Sequence, residues 1–210
     1  MKQFFITGTD TGVGKTIVSA IVTQVLDGCY WKPIQSGLAD DEADQVTVKK
    51  LTDLPEQNFF SSIYELQASL SPHHAAELEK VNIDIQQCRH PPFKRALIVE
   101  GAGGVFVPVN GHACMLDLMK HLNFPVIVVT RGTLGTINHT LLTINALRYH
   151  GIPIHGVVFN GELYHANQKT IEQWSGIRTL FHVPYFDTLE KFALQQWIQV
   201  QKKNILAELI

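Results

Sequence analysis

Residues Gly8-Thr9-Asp10-Thr11-Gly12-Val13-Gly14-Lys15-Thr16 form a glycine-rich loop closed by Gly-Lys-Thr, and its flanks leave few folds open. Lys2–Thr7 ahead of it is apolar enough for a buried strand, and Ile17–Leu26 behind it continues as a helix. A strand, a glycine turn and a helix in that order make an anion site. Backbone N–H groups at the helix N-terminus point at a phosphate, and the helix dipole favours its charge. Lys15 adds a point charge for the outer phosphates, and the Thr16 hydroxyl suits Mg²⁺. The strict pattern has four residues between its glycines. Gly8 and Gly14 have five between them, so this loop is a variant that a plain pattern search misses.

Whole-chain properties narrow the class. At 210 residues, 45% hydrophobic and 17% charged, the chain fits one α/β domain over 1–210 with a full core. A net charge of −2 gives no electrostatic case for nucleic acid or an anionic membrane. No apolar run has the length of a membrane span, and the N-terminus enters a core strand rather than a signal peptide. The three cysteines, Cys29, Cys88 and Cys114, are odd in number and widely spaced, which predicts reduced thiols in the cytoplasm. The ten histidines lack metal-site spacing: His73-His74 diverge on a helix, and His112 with Cys114 lacks a second pair.

Short apolar runs alternate with helical stretches. Cys29–Ile34 reads as a second strand, and Ala96–Val99, Val126–Thr130, Ile154–Phe159 and Thr179–Val183 as later ones. Asp41–Leu51, Cys114–Leu122, Thr136–Tyr149 and Asn167–Ser175 have helical composition. Ser71-Pro72 reads as a helix start, serine as N-cap and proline at the first position, and Asp187 as the cap of a C-terminal helix with Glu190 three residues on. Strands apolar throughout, alternating with helices, predict a mostly parallel sheet covered by helices on both faces.

Such sheets bind ligands outside the carboxyl ends of their strands. After the second strand come Lys32 and Ser36, then the acidic run Asp40-Asp41-Glu42-Ala43-Asp44. Glu100 ends the next strand, ahead of Gly101-Ala102-Gly103-Gly104. A carboxylate there, facing the loop threonine, is placed to ligate Mg²⁺ or hold water, and the glycines let backbone approach a phosphate. Arg131–Asn138 is a second glycine turn entering a helix, suited to a carboxylate-bearing substrate. Asn160-Gly161 offers a carboxamide whose donor and acceptor match an adenine edge.

Gly8–Thr16 (GTDTGVGKT), Lys32–Gly37 (KPIQSG), Ser71-Pro72-His73, Glu100–Gly104 (EGAGG) and Gly135–His139 (GTINH) together resemble the dethiobiotin synthetases, in order and in rough spacing. The first and fourth are shared with wider P-loop relatives, whereas the set of five is specific. The resemblance implies a P-loop NTPase-like fold and an ATP-dependent ligase of biotin synthesis, in which 7,8-diaminopelargonic acid, CO₂ and ATP give dethiobiotin, ADP and phosphate. It also implies a homodimer with the site near the subunit interface. Lys32 would be the catalytic lysine, with Lys15 and Thr11 at the γ-phosphate. Thr16, Asp44 and Glu100 would hold Mg²⁺. ATP would be held by Gly12, Val13, Gly14, Lys15, Thr16, Ile17, Asp44, Glu100, Gly101, Ala102 and Gly103, with Asn160, Gly161, Pro184, Tyr185 and Phe186 lining its base. The substrate would meet Lys32 and Ser36, with Gly135, Thr136, Ile137 and Asn138 taking its distal carboxylate from the partner subunit. Gly12 departs from the glutamate of some members. The stretches from Thr16 to Lys32 and from Ser36 to Asp44 are short for the family, so Asp44 aligns best as the metal aspartate, with Asp40 and Asp41 as alternatives.

Two other classes share part of the pattern. A positioning ATPase of the ParA/MinD kind shares the loop, but carries a lysine early in it where this chain has Asp10. A ligase acting on a larger acid such as a cobyrinate needs a glutamine-hydrolysing domain, for which 210 residues leave no room.

Overall fold

The computed structural model describes residues 1–186 and 188–210, so the expected cap Asp187 lies outside the described residues. The β-branched and aromatic run at the start forms β1 (Gln3–Gly8), followed by α1 (Lys15–Val25), β2 (Cys29–Trp31), β3 (Ile34–Gln35) and α2 (Asp44–Leu51). Two short strands, β4 (Phe59–Phe60) and β5 (Tyr64–Glu65), precede α3 (Pro72–Glu79). The rest alternates: β6 (Leu97–Gly104), α4 (Met115–Leu122), β7 (Val126–Gly132), α5 (Thr136–Tyr149), β8 (Ile154–Leu163), α6 (His165–Ser175), β9 (Thr179–Val183) and α7 (Lys191–Leu209).

Seven strands form one sheet in the order β4-β2-β6-β1-β7-β8-β9, and every pairing in it is parallel. The strand period of two sends alternate residues of β1 to opposite faces. Phe4 and Ile6 pack with Tyr30, Ile98, Ile127 and the inner faces of α1 and α7. Phe5 packs on the other side with Trp31, Val99, Val128 and residues of α4 and α5. Helices on both faces follow from strands that are apolar on both faces. Each fully buried Phe, Ile or Val of this kind contributes about 1.5–3 kcal/mol.

The expected single strand Cys29–Ile34 is instead divided. Residues 29–31 pair with β6, whereas Ile34–Gln35 pair with β5 in a separate two-stranded sheet. Pro33 between them has no N–H for a ladder, so the chain leaves the main sheet there. β6 and β8 also run past their expected ends, to Gly104 and Leu163. Ser71 precedes Pro72 at the first position of α3, but its hydroxyl makes no cap. It pairs with His73 Nδ1 at 3.0 Å.

β1 lies between β6 and β7 at the centre of the sheet, and the chain then crosses to β2 beyond β6. That crossing opens a crevice at the carboxyl ends of β1, β6 and β2, where open α/β sheets bind ligands. Ile6 sits opposite Glu100 in the β1–β6 register, so Glu100 lies beside the glycine loop despite the 84 residues separating it from Thr16.

Candidate functional site

The glycine loop closes onto α1 through Gly14, whose φ of 96° is a left-handed conformation that glycine adopts at no steric cost. A Cβ at this position would stand 2.1 Å from Asn160 Nδ2, so any other residue would also displace that side chain. α1 starts with no side-chain cap and no acidic residue in its first turn. Its end therefore presents unpaired N–H groups and the positive end of the helix dipole. Lys15 reaches back along the loop, Nζ donating to the Asp10 carbonyl at 3.0 Å.

Beneath the loop, two carboxylates and a hydroxyl converge. Thr16 Oγ1 lies 2.7 Å from Asp44 Oδ1 and 3.0 Å from Glu100 Oε1. One hydroxyl proton is shared between the two oxygens. Neighbouring oxygens on an octahedral Mg²⁺ with bonds near 2.1 Å are about 3 Å apart, so Thr16 stands at a ligand's spacing from each carboxylate. The all-oxygen donor set suits a hard cation, and the residues present fit Mg²⁺. Of the three aspartates weighed as ligands, Asp44 is the one that touches Thr16, while Asp40 accepts from Ser69 Oγ at 2.5 Å.

Lys32 Nζ donates to Asp44 Oδ2 and, at 3.3 Å, to Glu100 Oε1. Lys32 is 6% exposed and Glu100 1%, and charges so deeply placed persist only in pairs. Burial pulls the Lys32 ammonium down, but attraction to Glu100 and Asp44 and hydrogen bonds to both leave it above the ordinary lysine value. Burial likewise raises Asp44, yet Lys32 and the Thr16 hydroxyl hold it below the usual carboxylate range. Lys15 ends below the lysine norm: burial lowers it, Glu100 raises it, and the nearby Lys32 charge lowers it further. Lys32 is thus held as the charged partner of these two carboxylates.

The cleft has a volume of ≈ 730 Å³, and Thr11, Gly12, Gly14, Lys15, Thr16 and Ile17 form one wall. Lys32, Ser36, Asp44, Glu100, Ala102 and Gly103 also line it. Ser69, Leu70, Ser71 and Pro72 complete the rim, a contribution of the loop before α3.

Other expected site residues lie elsewhere. Val13 is buried, and Asn160 Nδ2 donates to its carbonyl at 3.0 Å, so half of the Asn160 carboxamide is committed to the loop. The Gly161 carbonyl accepts from His182 Nε2 at 2.5 Å. Pro184 lines a second cavity, between β9 and α7. Tyr185 is exposed, and Phe186 stands edge-on to Trp197 at 6.4 Å. Gly101 packs against the Phe5 ring, which a Cβ there would meet at 2.8 Å. Gly135, Thr136, Ile137 and Asn138 start α5 outside the cleft, next to a 97%-exposed Leu134.

Three contacts have no signal in the sequence. Tyr30 OH donates to Glu100 Oε2 at 3.0 Å, and burial pushes this phenol well above its ordinary value, which keeps it a donor. Gln35 Oε1 accepts from the Asp44 backbone N–H at 3.1 Å. Arg131, exposed, donates to the Gly12 carbonyl at 3.2 Å and ties the loop apex to the end of β7.

Comparisons with known proteins give the family by sequence and the fold by structure. A family model described as an AAA domain matches residues 2–193. The chain is 45% identical over 189 residues to the ATP-dependent dethiobiotin synthetase BioD of Rhizorhabdus wittichii, covering 90% of each. It is 45% identical over 196 residues to that of Novosphingobium aromaticivorans, covering 93% of this chain and 94% of the relative. It also matches the biotin biosynthesis bifunctional protein BioCD of Bordetella avium at 42% identity over 196 residues, but spans 42% of that longer protein. Among solved structures, a chain of the MinC:MinD cell division protein complex of Aquifex aeolicus aligns over 99% of this chain and 95% of its own, with a TM-score of 0.57 and 12% identity. A putative plasmid partition protein of Borrelia burgdorferi bound to AMPPNP aligns with a TM-score of 0.56 and 11% identity, covering 99% of this chain and 97% of its own. These two likenesses establish the P-loop NTPase fold alone.

Proposed function

Since the chain belongs to the family of ATP-dependent dethiobiotin synthetases, we propose that its residues close the ureido ring of dethiobiotin from 7,8-diaminopelargonic acid, CO₂ and ATP in the cleft between the glycine loop and Lys32. The observation that carries this reading is the Thr16 hydroxyl between Asp44 and Glu100, with the Lys32 ammonium on the same carboxylates.

One amine of the diamine adds to CO₂ and loses a proton, giving a carbamate. A carbamate oxygen then attacks the γ-phosphorus, the bond to the β-phosphate oxygen breaks, and ADP leaves. The second amine attacks the carbon of this carbamic–phosphoric anhydride and loses a proton, the C–O bond breaks, and phosphate departs as the urea ring closes. The difficulty lies in bringing an anion against a triphosphate, and positioning and charge neutralisation supply most of the catalysis. Lys15 and the N-terminus of α1 hold the outer phosphates, with Thr11 at the γ-phosphate. Lys32, kept cationic by its carboxylates, neutralises the carbamate oxygen as the new O–P bond forms. Mg²⁺, held by Thr16, Asp44 and Glu100, would supply charge neutralisation of the β- and γ-phosphates.

Gly12, Val13, Gly14, Thr16, Ile17, Gly101, Ala102 and Gly103 are assigned to the phosphate side. Asn160, Gly161, Pro184, Tyr185 and Phe186 are assigned to the base. Ser36 is assigned to the diamine, and Gly135–Asn138 of a partner copy to its carboxylate. That last assignment needs a homodimer. Leu134, Leu142 and Tyr149, 60–97% exposed along and beside α5, supply an apolar face for one. We assign residues 1–210 to one synthetase domain working in the cytoplasm, where Cys29, Cys88 and Cys114 stay free thiols.

The test is fixation of labelled bicarbonate into acid-stable product with ATP, Mg²⁺ and the diamine. One ADP per fixed label, and none without the diamine, is the expected result. ADP release indifferent to the diamine, with no label fixed, would replace the ligase reading with that of a positioning ATPase.

A further inference from the structure

We propose that Tyr30 and Gln35 are positioning residues for the two carboxylates of the cleft, Tyr30 fixing Glu100 from the core side and Gln35, itself part of the cleft lining, fixing Asp44. The proposal rests on the reading of Glu100 and Asp44 as ligands of the cation.

The two oxygens of Glu100 face different surroundings. Oε1 points into the cleft and takes Thr16 at 3.0 Å and Lys32 at 3.3 Å. Oε2 points away, and Tyr30 OH at 3.0 Å is its one hydrogen-bond donor among the described residues. Tyr30 is fully buried in the core cluster shared with α1 and α7, so its ring cannot follow the carboxylate if that group rotates. The phenol therefore fixes which oxygen Glu100 offers the cleft. A carboxylate with free Oε2 could turn about its last bond, at the expense of the Oε1 geometry.

Asp44 presents a different problem. It is the first residue of α2, and the residue before it, Ala43, has no side chain with which to cap the helix. An uncapped first turn frays, and fraying would carry the Asp44 carboxylate with it. Gln35 supplies the missing acceptor from another element, its Oε1 taking the Asp44 N–H at 3.1 Å. Its other amide end donates to the Ser36 carbonyl at 2.8 Å, so one 6%-exposed side chain locks the start of α2 to the substrate-side serine. Tyr30 and Gln35 flank Lys32 on one stretch of chain. Outer-shell partners of metal ligands typically contribute about 10–100-fold to metal affinity.

The experiment measures binding of Mn²⁺, as a probe for Mg²⁺, to the protein with ADP, reading free Mn²⁺ by electron paramagnetic resonance. ADP binding in chelator is measured alongside. Tyr30→Phe and Gln35→Met are each expected to weaken Mn²⁺ binding about tenfold or more, with metal-free ADP affinity unchanged. A purely structural role would shift both together or neither. Gln35→Glu keeps an acceptor for the Asp44 N–H and is expected to bind Mn²⁺ more tightly than Gln35→Met. If Gln35→Met does not fold, equal Mn²⁺ affinity in Gln35→Glu and Gln35→Ala overturns the Gln35 assignment. Glu100→Gln and Asp44→Asn separate loss of a ligand from loss of its positioning. If these lose Mn²⁺ while Tyr30→Phe and Gln35→Met bind it as wild type does, the positioning roles are overturned and the ligand reading stands. If Glu100→Gln and Asp44→Asn also bind Mn²⁺ normally, the ligand reading itself is overturned.

Discussion

Lys32→Met removes a buried cation and leaves its two anions in place, so its effect on stability can be worked out from the site. Removing one partner of a buried ion pair typically costs about 3–5 kcal/mol, because the remaining charge is stranded away from water. Here the stranded groups are Glu100, 1% exposed at the side chain, and Asp44, 27% exposed. Two features favour the low end of that range. Glu100 keeps the Tyr30 and Thr16 hydroxyls, and Asp44 retains some access to solvent. A loss of about 3 kcal/mol in a chain of this size lowers Tm by about 6–12 °C. Thermal unfolding followed by circular dichroism in chelator reads this directly. Excess Mg²⁺ should narrow the gap, since a divalent cation on the same carboxylates replaces the missing charge. An unchanged Tm in chelator would refute the claim that Lys32 neutralises these two groups in the folded protein. The same variant should bind ATP yet form no product, and full ring-closing activity would remove Lys32 from the mechanism.

Gly14→Ala forces a side chain into a φ of 96° and against Asn160 Nδ2, costing the Asn160–Val13 bond as well. Denaturant unfolding should give a loss of about 2–3 kcal/mol with weakened ATP binding, and wild-type stability would contradict the loop geometry. His155 lies against Phe4 with ring centroids 4.6 Å apart and planes tilted by 49°, and shares a hydrogen bond of 3.0 Å with the Glu208 carbonyl. Burial holds its pKa below the ordinary histidine value. The unfolded chain therefore binds this proton first, and stability falls as pH drops below about 6.5. His155→Gln should flatten that acid slope, and an identical slope would count against the assignment. Cys88 is buried with its thiol pushed up to about 12, so alkylation at pH 8 should spare it in the native protein and reach it after unfolding. Rapid native labelling of Cys88 would place it outside the core.

The parts legible in the sequence were those in which local pattern and tertiary role coincide. The run before Gly8, the Gly-Lys-Thr turn and the helix after it are contiguous, so the anion site could be read without knowing the fold. The placement of Glu100 beside the loop was legible for a related reason, since the acid directly follows the apolar run that forms a central strand. The division of Cys29–Ile34 was hidden because both halves look alike as strands, and partners far along the chain decide which sheet each joins. Two-residue strands such as Phe59–Phe60 carry no period at all. Tyr30 and Gln35 were silent because their partners lie 70 and 9 residues away and ordinary core residues look the same. Asn160 was read as a base contact from its chemistry, and the structure shows its donor engaged by the loop carbonyl of Val13.

In the proposed reaction a carbamate oxygen attacks the γ-phosphate in the cleft below Gly8–Thr16. Ring closure run with ¹⁸O-labelled bicarbonate in unlabelled water, with phosphate analysed by mass spectrometry, follows that oxygen. One labelled oxygen per phosphate is the predicted result, because the C–O bond breaks after the O–P bond has formed. Phosphate carrying only solvent and ATP oxygen would contradict the anhydride, and with it the role given to Lys32.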